Sequence, residues 1–386
     1  MVRTSYPKST QIFFDEVVHL IKKWLDPDSI LIAGSFGKQS WLYSSGKLLS
    51  DFEFVFVCKN KWSITKKKEL LRKLNLDYPF EISLKGYLSK NIQKKIISNY
   101  SFKNPGYLSL DYFDTFQDAQ YLFRKNSTRK DISIDSWEIP IWEAWRLIVN
   151  RLGDLLKLKV SQKQDKQISN YAWLKVYESI ADAYLIVHKK YHKNIKQREQ
   201  IFTRTMVEND LELNDKCKAS FPLVKKALKA RSYHDLQLFE PDNNPKNNYL
   251  YVLSWLNYFE IKLAETEFDY IPESKEFYQS YIENKILNEK YLGFNYWNNK
   301  LLSNLIRLFN SPKLLKSNFR FLNHKNSWRH VILICIANTY RESYGASKTV
   351  VKTKQLAKSI FKSSALNELN SKEFIITILN YWKILR

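Results

Sequence analysis

The 386-residue chain predicts an α+β N-terminal domain followed by an all-α region. Three observations carry that expectation. Up to about residue 135, short β-branched and aromatic runs alternate with helical periods. From residue 136 onward helical periods dominate. Few glycines and prolines interrupt either part, 8 and 10 in all, so collagen-like and low-complexity classes are excluded.

The elements follow in order. QIFFDEVVHLIKKWL (11–25) predicts a helix, with Ile12, Val18, Ile21 and Leu25 on its apolar face. SILIAGS (29–35) is a short apolar run ending in glycine, expected as a buried strand. SDFEFVFV (50–57) is a second strand, and KKKELLRKL (66–74) a basic helix. YPFEISLKGYL (78–88) and NPGYLSLDYF (104–113) are expected as the third and fourth strands. Helices are then expected over 139–158, 168–191, 217–231, 247–267, 294–310, 328–343 and 366–385. PDNNPKNN (241–248) reads as a loop. The expected division is 1–135, 136–245 and 246–386, with no repeat of fixed period.

Composition narrows the setting. Hydrophobic residues make up 44% of the chain, enough for substantial cores. The three cysteines, Cys58, Cys217 and Cys335, are odd in number and far apart, which argues against a disulfide framework. The apolar run VILICIA (331–337) is far too short to cross a bilayer, and a cytoplasmic location is expected. Net charge is +23, of which residues 1–135 carry 22 basic and 14 acidic side chains, so the excess is spread evenly. Such charge attracts polyanions, but no detachable basic arm is visible.

The stretch that carries chemistry is IAGSFGKQSWLYSSGKLLSDFEFVFV (32–57). A buried strand ends at Gly34-Ser35, and a later strand carries Asp51 and Glu53. Two residues apart on a strand, both carboxylates point to one face. Adjacent acids favour a cation, and oxygen ligands suit Mg²⁺, with Mn²⁺ as the alternative. Gly34 allows close backbone approach, and Ser35 offers a hydroxyl and an N–H to phosphate.

With these residues the chain resembles the nucleotidyltransferase superfamily of the DNA polymerase β type. The pattern is a hydrophobic strand, Gly34-Ser35, a spacer, then Asp51-Phe52-Glu53. The spacer of 15 residues is longer than the common form, and SSGKL (44–48) is expected to add a hairpin there. The second acid is Glu53 where aspartate is more usual. The resemblance implies an N-terminal nucleotidyltransferase domain with a helical domain closing the nucleotide cleft. It implies an NTP substrate such as ATP, transfer of NMP to an acceptor hydroxyl, and release of pyrophosphate. The acceptor is open: nucleic acid, nucleotide, sugar or protein. The resemblance implies a third acid, Glu81 or else Asp111 or Asp114, that completes the metal-binding set with Asp51 and Glu53 and helps deprotonate the acceptor hydroxyl. Lys38, in the glycine turn, and Lys175, on a helix of the second region, are expected phosphate ligands, with Arg146 and Arg151 competing. His188 and His192 have helical i, i+4 spacing, but the lysines around them favour a solvated helix end. The rival readings are a catalytically degenerate nucleotide- or nucleic-acid-binding protein, and a helical scaffold.

Overall fold

The computed structural model describes residues 6–89, 110–117, 120–125, 136, 139–161, 165–209, 212–267 and 328–343, with Glu373, Ile375, Ile376, Ile378 and Leu379. Its N-terminal part is a mixed sheet with helices, and the described remainder is helical. Helix α1 (Lys8–Leu25) buries Phe13, Phe14, Val17 and Ile21. Ile12, expected on the inner face, is 54% exposed. The adjacent Phe13 and Phe14 rings present more apolar area than Ile12 and turn the buried stripe toward themselves.

Four strands form the main sheet in the order β5-β4-β1-β6. They are β1 (Ser29–Ala33), β4 (Phe52–Cys58), β5 (Ile82–Leu88) and β6 (Gln120–Arg124). β4 runs antiparallel to β1 and parallel to β5, while β6 runs antiparallel to β1. Helix α3 (Ile64–Asp77), started by Ser63 accepting from Lys66 N at 3.2 Å, is the crossover that a parallel pair requires. Between β1 and β4 lie a short helical turn α2 (Gly34–Gly37) and the expected hairpin, β2 (Tyr43–Ser44) with β3 (Lys47–Leu48). Ser45 and Gly46 at its tip both have positive φ, as a two-residue hairpin loop demands.

The expected fourth strand is corrected. Residues 104–109 lie outside the described residues, and Leu110–Phe116 forms a helix, α4. Leu110, Tyr112, Phe113, Asp114, Thr115 and Phe116 are all buried, so no one-sided stripe marks the segment as helical. Its strand-like aromatic content reflects burial rather than pleating. The fourth strand is β6, outside every run expected to be extended.

The helical part begins with α5 (Ile141–Val160) and α6 (Lys166–Val187), which pack on each other. Asp165 caps α6 by accepting from Gln167 N at 2.8 Å. Helix α7 (Ile195–Glu208) was not expected, because Ile195, Phe202 and Met206 are its few buried apolar residues. Asn194 starts it by accepting from Lys196 N. The helix expected over 217–231 is two: α8 (Asp215–Ala219) and α9 (Phe221–Ser232), divided at Ser220 ahead of Pro222. Helices α10 (Pro245–Glu267) and α11 (Trp328–Ser343) pack on α5. The expected helix over 294–310 lies outside the described residues, as does most of 366–385.

The sheet separates two apolar layers. Ile30, Ile32, Phe52, Phe54 and Phe56 pack with α1 and α3. Leu31, Ala33, Val55 and Val57, on the opposite face, join the core of α5, α6, α9 and α10. Among the described residues, no helix is long and apolar enough to cross a membrane.

Candidate active site at the glycine turn and acid strand

The register of β1 with β4 sets Ala33 opposite Glu53, so the chain leaves β1 beside that carboxylate. Gly34 follows at φ +60. A Cβ there would stand 2.4 Å from Glu53 Oε1, so the position needs glycine for its backbone and for its contact. Gly37 is equally tight, a Cβ meeting the Ile32 carbonyl oxygen at 2.6 Å. Lys38 N donates to Gly34 O at 3.0 Å and Ser40 N to Ser35 O at 2.7 Å, which closes the turn. The Ser35 hydroxyl is buried and makes no hydrogen bond among the described residues.

Strand alternation separates the phenylalanines of β4 from Asp51, Glu53 and Val55. Asp51, just ahead of β4, is half-buried, and its carboxylate has no hydrogen bond or ion pair among the described residues. Glu53 Oε2 lies 2.9 Å from Lys85 Nζ of β5. The same ammonium lies 3.0 Å from Asp111 Oδ1 and 3.3 Å from Oδ2, at the start of α4. Burial works against the Lys85 charge, but Asp111 and Glu53 outweigh it and raise its pKa. Partial desolvation also works against the Asp111 charge, but Lys85, with Arg146 and Lys38 further off, outweighs it and holds the carboxyl below its ordinary value.

The other expected residues distribute as follows. Glu81 is exposed, one residue ahead of β5, and its carbonyl accepts from Phe52 N at 2.9 Å. Asp114 is buried, 3.4 Å from Lys38 Nζ, and accepts from the Tyr191 hydroxyl at 2.7 Å. Lys175 is half-buried on α6, its Nζ 4.0 Å from the centre of the Tyr171 ring. Arg146 pairs with Glu143, which also accepts from Leu110 N and so anchors α4. Arg151 reaches Ser179 Oγ at 3.2 Å and Asp154 at 3.3 Å. His188 Nε2 meets the Tyr258 hydroxyl, and His192 Nδ1 accepts from Asn194 N. The two histidines do not share a helix face, because α6 ends at Val187 and Lys189 has φ 58.

Sequence reading missed Lys85, although it is two places beyond Ser83, on the face that Glu53 shares. It also missed the support of the spacer. Arg231 Nη1 donates to Ser40 O at 3.0 Å, and its Nε to Glu178 Oε2 at 2.9 Å. His234 bonds Trp41 O at 2.9 Å and stacks on the indole, centroids 4.0 Å apart and 3° from parallel. Tyr43 N donates to His234 O. Buried Arg198 bonds Asp182 beside this network. Burial raises the Asp182 carboxyl. Burial pushes Glu178 the same way, but Arg231, Lys38 and Arg198 outweigh it and hold that carboxyl down to about 2. Arg231 and His234 lie 191 and 193 residues beyond the spacer residues they hold, outside any local pattern.

Compared with protein-family models, with curated proteins and with solved structures, the chain matches none.

Proposed function

We propose that the chain is a Mg²⁺-dependent nucleotidyltransferase that moves NMP from an NTP to an acceptor hydroxyl. One observation carries this reading: the glycine turn at the end of β1 meets the second acid of the Asp51-Phe52-Glu53 strand, with no room for a side chain between them. A phosphate-gripping turn and a pair of acids have to adjoin for that chemistry.

The residues suit a divalent ion. Asp51, Glu53 and Asp111 are hard oxygen donors, and the last two already draw one cation, the Lys85 ammonium. Among the described residues no three acidic, histidine or cysteine side chains form a ready-made set. Two carboxylates completed by substrate phosphates is the usual Mg²⁺ arrangement. Bound there, the ion would neutralise phosphate charge and lower the pKa of the acceptor hydroxyl.

The chain's own groups supply the rest. Gly34 lets the backbone approach a phosphate, and Ser35 brings an uncommitted hydroxyl. Lys38 and Lys175 are the proposed phosphate-side cations; among the described residues Lys175 has only an aromatic partner. Glu81, the acid left outside those donors, takes the acceptor proton. The acceptor oxygen then bonds to the α-phosphorus as the bond to pyrophosphate breaks.

The second reading, nucleotide or nucleic-acid binding without turnover, is favoured by Lys85 lying against the acids. One experiment separates the two. Each NTP with Mg²⁺ should raise the melting temperature of the native protein and not that of Asp51→Ala, and pyrophosphate should appear only with the native protein. A shift without pyrophosphate favours the second reading. An Asp51→Ala protein that still releases pyrophosphate sinks the first.

A further inference from the structure

We infer that Lys85 is a built-in competitor for the metal: its ammonium and a divalent ion contend for the same two carboxylates, Glu53 and Asp111. This inference rests on the metal-dependent reading above and adds a form of regulation to it.

The geometry has three parts. Glu53 belongs to β4 and Asp111 to α4, so nothing in the local chain forces them together. Both approach one nitrogen to 3.0 Å or less, which puts their oxygens within about 6 Å of each other, costly for like charges without a cation. The cation is therefore what joins helix to sheet at this point. Lys85 is also free to leave. Its side chain is 37% exposed and that of Asp111 51%, on a flexible four-carbon stem. The exposed pair with Asp111 is weak, and the pair with Glu53, whose side chain is 21% exposed, is the firmer of the two. A divalent ion brings twice the charge and binds carboxylate oxygens at about 2.0–2.1 Å, against 2.9 Å here. The two positive charges repel across those oxygens, so binding of either disfavours the other. Ser83, in register with Glu53, has a buried hydroxyl that makes no hydrogen bond among the described residues and is a neighbouring donor on that face.

The competition is measurable without turnover. Free Mn²⁺ is titrated by electron paramagnetic resonance against the full chain, Lys85→Met and Asp51→Asn. Lys85→Met should bind Mn²⁺ about tenfold more tightly than the native chain, having lost its competitor. In parallel, acetylation of Lys85 in the native chain, followed by mass spectrometry, should rise several-fold on adding Mn²⁺ or Mg²⁺. This second measurement stands even if Lys85→Met does not fold. Mn²⁺ binding that depends on Asp51, with Lys85→Met no tighter and acetylation unchanged, overturns the competition and leaves the metal-dependent reading intact. No Mn²⁺ binding by either the native or the Lys85→Met protein overturns both.

Discussion

At the scale of single residues, Gly34 bears two demands at once, a positive φ and the Glu53 carboxylate against its Cα. Gly46, at the hairpin tip, has a positive φ of 77, and a Cβ added there would meet no described atom within 4 Å. The pair makes a controlled test. Gly34→Ala and Gly46→Ala should each cost about 1–3 kcal/mol of backbone strain, read by urea unfolding. Only Gly34→Ala should also abolish a Mg²⁺- and NTP-dependent rise in melting temperature, because it displaces Glu53. Equal retention of that rise in both variants would separate Gly34 from ligand binding. The glycine, the acids and their order were legible in sequence because strand periodicity and a glycine turn are local signals. Lys85 was not, since only the register of β5 against β4 brings it to Glu53. The partnership of Asp111 with Glu53 was equally hidden, because α4, buried at all of its residues but Asp111, reads like a strand.

At the scale of elements, the last turn of α9 and the corner after it hold the spacer between the glycine turn and the acid strand. Arg231 is its central contact, buried between Glu178 of α6 and the Ser40 carbonyl. Removing one member of a buried ion pair strands the other. Arg231→Met should therefore lose about 3–5 kcal/mol in denaturant unfolding. The double variant Arg231→Met with Glu178→Leu should lose less than Arg231→Met alone, since no orphaned charge remains. Additive losses would mean that the pair contributes little beyond packing. A helix with a one-sided apolar period, such as α5, was readable from the chain, and α10 was readable from its dense helical run of apolar residues. Helix α7 was not, because its buried contacts are sparse and its strongest inward group is the charged Arg198.

At the scale of the molecule, the sheet and the helices share a core. Leu31, Ala33, Val55 and Val57 leave no water-facing side on β1 and pack into the same cluster as Trp145, Leu152 and Ile180. The composition break near residue 135 is thus a change of secondary structure and not a gap in packing. The described sheet and helices should melt as one cooperative unit, with calorimetric and van't Hoff enthalpies equal. Two resolved transitions would refute the shared core. The change of texture was legible because helical and extended periods differ. The continuity of the core was not, since strand residues facing a helix pair read the same as those facing any apolar layer.

The spacer's anchorage also has a consequence in time. Ser40 and Trp41 wait for Arg231 and His234, which lie 191 and 193 residues further along the chain. A ribosome adding about 5–20 residues each second needs about 10–40 s to cover that distance. Through that interval the newborn sheet has its glycine turn and acid strand but lacks the corner that fixes the loop between them. The face bearing Leu31 and Val55 is likewise uncovered until α4 and α5 have been made. The site carried by the N-terminal third is thus completed only after the helices have been made.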